Sequence, residues 1–169
     1  MTENVKQQLY LLQELIPLKF KFTNPELEKE SKEYWACRFE VNHQKVINRK
    51  AKITPTKVGQ FVTLWKRNPD GPITPFHSDD HFDLVIISVK KDNDFGLFVF
   101  PKSVLVKKGI VSNKSKEGKR GFRVYPQWDE ANNNQAIKTQ KWQLDYFLSL
   151  NKNSIDVNKG ILLFKLNYN

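Results

Sequence analysis

One run constrains this chain more than any other: Phe82-Asp83-Leu84-Val85-Ile86-Ile87-Ser88-Val89. β-branched side chains are stiff about their first torsion and suit extended backbone. The run lacks the polar alternation of a strand with one wet face, which predicts a central strand covered on both sides. Asp92-Asn93-Asp94 is turn chemistry, and Gly96-Leu97-Phe98-Val99-Phe100 predicts the strand that pairs with it. Covering both faces of a sheet requires further layers, so the expected class is α/β, a mixed sheet flanked by helices.

The flanking segments supply those layers. Thr2 can cap a helix carrying Val5, Leu9, Leu12 and Ile16 at helical spacing, which Pro17 should stop. Asn24-Pro25 followed by Glu26, Glu28 and Glu30 reads as a cap and an acidic first helical turn. Tyr34 to Val41 alternates as a strand does, Asn42-His43 is a turn, and Lys45 to Ala51 predicts the return strand. Phe61–Trp65 and Phe122–Pro126 predict strands, and Lys102–Val111 a short helix stopped by Gly109. Asn113–Gly121 reads as a flexible basic loop, Asn134–Leu150 as one helix and Gly160–Leu166 as a last strand. The 169 residues are the size of one domain, spanning 1–169. No apolar run reaches the roughly 18 residues of a membrane span. Cys37 is the single cysteine, so no internal disulfide can form. With no signal-peptide pattern at the N-terminus, a cytoplasmic setting and no membrane partner are expected.

The net charge of +10 is unevenly placed. Residues 35–127 carry 18 basic and 8 acidic side chains, whereas the two flanks are nearly balanced. Residues 45–67 contain no acid at all, and residues 102–123 contain Glu117 alone. Like charges packed together destabilise a compact state, and a polyanion relieves that strain while its counterions are released. The blocks are interleaved with Phe61, Trp65, Phe122 and Tyr125. The expected partner is therefore nucleic acid, with DNA favoured. Lys52, Lys57, Gln60, Lys66, Arg67, Lys102, Lys119, Arg120 and Arg123 would line one continuous cationic face. Lysines meet phosphates, and Gln60 could reach a base edge or sugar.

Several segments resemble the bacterial MepB family. They are Ala51–Val62, Leu64–Arg67, Gly71–Phe76, Phe98–Lys102, Gly118–Pro126 and Thr139–Gln143, and the similarity spans about residues 30–150. The resemblance implies a single domain of restriction-endonuclease-like, PD-(D/E)XK type. In staphylococci the family's namesake is encoded beside a multidrug efflux pump and its repressor. A nuclease of that type places an Asp on one strand, and an acid, a spacer and a Lys on the next. Asp83 and Lys102 fall at the first and last of those positions. Phe100 stands where the second acid belongs, and a phenyl ring cannot ligate Mg²⁺. Glu40, from the preceding hairpin, could replace it.

Three functions follow as expectations. The first is a nucleic-acid-binding protein whose catalytic centre has degenerated. The second is a Mg²⁺-dependent nuclease using Asp83 as metal ligand together with Lys102 and Glu40. The third is an anion- or protein-binding accessory module connected to drug efflux. His77-Ser78-Asp79-Asp80-His81 holds metal-capable side chains but lacks a helical frame, and reads as a solvated loop. The sequence does not give the oligomeric state.

Overall fold

A computed structural model describes residues 2–16, 20–151 and 153–166. In chain order the elements are α1 (Thr2–Leu15), β1 (Glu26–Leu27), β2 (Cys37–Val41), β3 (Gln44–Lys50), β4 (Lys52–Ile53), β5 (Gln60–Thr63), β6 (Trp65–Arg67), β7 (Ile73–Pro75), β8 (Leu84–Lys91), β9 (Asp94–Pro101), α2 (Lys102–Lys107), β10 (Gly121–Val124), α3 (Asn134–Gln143), β11 (Phe147–Ser149) and α4 (Val157–Leu163). None of the described helices is long and apolar enough to cross a membrane.

Six strands form the main sheet in the order β1-β2-β3-β8-β9-β11. All pairs are antiparallel except β3 with β8, where Val46 faces Leu84 and Lys50 faces Ser88. The sheet is therefore mixed, as expected. The β2–β3 hairpin turns at Asn42-His43, both at positive φ as a two-residue hairpin requires.

The apolar run does what its composition demands. Leu84 and Ile86 point into one core with α1 and α4, among Val5, Leu9, Phe39, Val99 and Phe164. Val85, Ile87 and Val89 point into a second core with Val62, Phe98, Phe100, Leu105, Phe122 and Val124. Side chains alternate across a strand, so one run fills both layers. Each such fully buried aliphatic side chain contributes about 1.5–3 kcal/mol. The second core lies under a small sheet ordered β10-β5-β4, together with α2 and Trp142 of α3.

Three expected elements differ. Residues 24–30 do not start a helix. Glu26 and Leu27 pair instead with Arg38 and Cys37 at the sheet edge. That placement directs the Glu28 carboxylate to Arg49 (Nη2–Oε2 2.9 Å) and Arg38 (Nε–Oε1 3.2 Å). The helix expected over 134–150 ends at Gln143, passes through a single 3₁₀ turn and becomes β11. Phe147 and Leu148 gain a ladder with Phe98 and Leu97, and the Phe147 ring packs 4.9 Å from that of Phe98. Tertiary pairing here outweighs the helical spacing of Leu144 and Leu148. The last apolar run is helix α4 rather than a strand, with the Asp156 carboxylate accepting from the Lys159 amide at 3.0 Å. α1 ends as predicted, although Pro17 itself lies outside the described residues.

Candidate nucleic-acid interface

Three distant segments meet over the second core. The first is the turn 54–59 that leads into β5. Gly59 sits at φ +81°, and a Cβ there would strike the Tyr125 ring. Arg123 on β10 holds this turn: its Nη1 donates to the carbonyls of Val58 and Gly59 at 3.3 Å each, and its Nη2 to Thr54 Oγ1 at 2.7 Å.

The second segment is 108–119, which includes most of the stretch 113–121 that the sequence predicts as a flexible loop. It is tied down at both ends. Gly118 N donates to Ser112 Oγ at 2.7 Å, Lys119 N donates to the Ile110 carbonyl at 2.9 Å, and Asn113 Oδ1 accepts from the amides of Ser115 and Lys116. A Cβ on Gly118 would collide with the Ile110 carbonyl, so only glycine permits this return.

The third segment is α3. Asn133 caps it by accepting from the Ala136 amide at 2.9 Å. Gln143, fully buried, donates to the Arg123 carbonyl at 2.9 Å and accepts from the Tyr125 amide at 2.8 Å, which docks the helix against β10.

Between the three lies a cleft of about 500 Å³. Its charged lining is Lys57, Lys108, Lys119 and Arg123, and no carboxylate lines it among the described residues. Tyr125, Phe122 and Trp142 supply aromatic wall, and Asn132, Gln135 and Thr139 supply hydrogen-bonding groups. Lys57, Lys108 and Lys119 are exposed and form no salt bridge among the described residues. The Lys108 ammonium lies 5.2 Å from the centre of the Trp142 ring. Charge, π surface and amides facing one cleft can hold a phosphate together with a planar group.

The remaining sequence candidates lie elsewhere in the interaction network. Lys66 pairs with Asp80, and Arg67 grips Glu30 through two bonds of 2.6 and 3.1 Å. Arg120 pairs with Glu117 at 3.1 Å. The Lys52 ammonium lies over the Tyr34 ring at 4.2 Å. Gln60 is a correction: the alternation of β5 turns it inward, 1% exposed, with its amide nitrogen donating to the Lys90 carbonyl at 3.3 Å. It cannot reach a base edge. The continuous cationic face thus contracts to a cleft in which Lys57, Lys119 and Arg123 are joined by Lys108, Trp142 and the start of α3. Lys108 lies in the basic block, but nothing in its sequence context separates it from Lys107.

Asp83 and Lys102 line a different hollow of about 440 Å³, with His43, Gln44 and Lys165. Asp83 Oδ2 accepts from the Lys45 amide at 2.8 Å, and Lys102 Nζ donates to the Asp80 carbonyl at 2.9 Å, 5.1 Å from the Phe82 ring centre. Glu40 lines a third hollow of about 330 Å³, with Glu26, Lys45 and His81. Phe100 is buried, stacked 5.4 Å from Phe98 and tilted against Trp142 at 5.5 Å. Among the described residues no group of three or more His, Cys, Asp or Glu could hold a metal ion. One carboxylate that already caps a strand does not fit Mg²⁺, which needs several hard oxygen ligands. Nearby, burial tends to raise the pKa of Asp80, but the His77 amide and the Lys66 ammonium outweigh it and hold the carboxyl below its ordinary value.

The layers and the cleft together define a mixed α/β domain with one acid-free cationic pocket on its second face. A family model described as MepB-like matches residues 28–149, and the chain belongs to that family. It is similar to a solved structure, the crystal structure of MepB: 35% identical, TM-score 0.76, covering 86% of this chain and 97% of that one. No curated protein matches. Of the segments that resemble the family in sequence, Ala51–Val62, Gly118–Pro126 and Thr139–Gln143 contribute to the cleft, while Lys108, Ile110, Asn132, Asn133, Gln135 and Ala136 line it from outside them.

Proposed function

We propose that this protein binds nucleic acid, DNA in the first instance, on a nuclease-like scaffold without a working catalytic centre. The observation that carries the reading is the cleft: four cations from segments up to 66 residues apart, with no opposing carboxylate among the described lining residues. Such an arrangement costs self-repulsion and is relieved by a polyanion. That no group of three or more His, Cys, Asp or Glu among the described residues could hold a metal ion weighs against the Mg²⁺-dependent alternative.

A second reading, an accessory module for a small anion, is favoured by the small volume of the cleft, about 500 Å³. Fluorescence anisotropy of labelled single-stranded and duplex DNA at low salt tests both. Saturable binding that is lost in the triple variant Lys57→Gln, Lys108→Gln, Lys119→Gln supports the first reading. No binding of either form, with inorganic phosphate or pyrophosphate protecting the protein against heat, would establish the second in its place.

A further inference from the structure

The size of the cleft restricts which part of a nucleic acid it takes. Duplex-binding faces bury about 1,000–2,500 Å² of protein and follow the backbone with spaced cations. Here the space is about 500 Å³, within the range of about 300–1,000 Å³ found for small-molecule sites. Three of the candidate cations that would extend a track are neutralised: Lys66 by Asp80, Arg67 by Glu30 and Arg120 by Glu117. Arg123 Nη1 and Nη2 are tied to the 54–59 turn, so the guanidinium gives charge and holds the turn that carries Lys57.

Resting on the nucleic-acid reading above, we propose that the cleft is a strand-end site. It takes the terminal nucleotide of a single strand, with the end phosphate among Lys57, Lys108 and Lys119 and the base against Tyr125 and Trp142. An end carries a phosphate with an extra charge and an unpaired base free to enter a pocket. A base inside a duplex must first be unpaired and unstacked before it can enter. Aromatic surface serves any base, since every base has a π face, so little sequence preference is expected.

The test compares labelled oligothymidylates of one length by anisotropy at low salt: linear with a terminal phosphate at either end, linear without it, circularised, and paired in a blunt duplex. Thymidine monophosphate is the competitor. The expected result is at least tenfold tighter binding of the linear phosphorylated strand than of the circle, displacement by thymidine monophosphate, and loss of the phosphate advantage in Lys119→Gln. Lys108→Gln, checked alongside for an unchanged unfolding midpoint, should behave the same way. Equal affinity for circle and linear strand would overturn the strand-end assignment while leaving nucleic-acid binding intact. Binding of thymidine monophosphate with no oligomer bound at all would overturn both.

Discussion

Salt dependence turns the cleft geometry into a number. Each phosphate neutralised on a single strand contributes about −0.7 to the slope of log K against log salt. Counting each of the four cleft cations as neutralising one phosphate of the strand sets the steepest expected slope at about −2.8. Raising salt from about 50 to 200 mM should then weaken binding about 50-fold. Lys119→Gln removes one charge and should bring the slope to about −2.1, and the same salt change then costs about 20-fold. A long duplex groove using eight cations would give about −7. The assay is an anisotropy titration at four salt concentrations for wild type, Lys119→Gln and Lys66→Gln. Lys66 is already paired with Asp80, so its variant should keep the wild-type slope. A slope steeper than about −5, or one that shifts for Lys66→Gln but not for Lys119→Gln, would refute the reasoning.

Four further outcomes are expected. Glu28→Ala strands the fully buried Arg49 guanidinium and should lower stability by about 3–5 kcal/mol, measured by guanidinium chloride unfolding. Arg123→Ala removes charged hydrogen bonds to the 54–59 turn; a loss of about 1.5–3 kcal/mol by the same method, with faster hydrogen exchange in residues 54–59, is expected. Burial pushes the Cys37 thiol up to about 12, so a disulfide reagent at pH 8 should leave it unmodified until the protein unfolds. The Asp80 carboxyl, held low in the folded state, stabilises the protein above its unfolded-chain pKa of about 3.9. That contribution is lost as pH falls through the lower folded value. Unfolding midpoints between pH 7 and pH 2 should therefore drop less steeply in Asp80→Asn than in wild type.

The strands that cross the main sheet were legible because their own side chains declare both neighbours. Leu84 to Val89 cannot meet water on either face, and both cores receive them. Short apolar runs carry no such signal. Gly160-Ile161-Leu162-Leu163-Phe164 suits a strand or a helix, and the choice rests on the Asp156 cap and on Ile161 and Phe164 packing into the core shared with α1. Likewise Phe147 and Leu148 join a strand only because β9 offers an open edge, which lies outside their local sequence. In the site, the charge blocks revealed Lys57, Lys119 and Arg123. Charge alone could not separate them from Lys66 and Arg67, whose carboxylate partners lie 14 and 37 residues away in the chain. Gln60 falls in the turn before the strand expected over 61–65, whereas β5 already begins at Gln60 and carries it into the core.

The central claim, that the acid-free cleft is where a polyanion sits, is tested most directly by lysine footprinting. Brief acetylation with and without bound single-stranded DNA, read residue by residue by mass spectrometry, should show Lys57, Lys108 and Lys119 protected, with Lys66, Lys102 and Lys114 as reactive as in the free protein. Protection of Lys66 and Lys102 while the three cleft lysines stay fully reactive would place the ligand elsewhere and contradict the account.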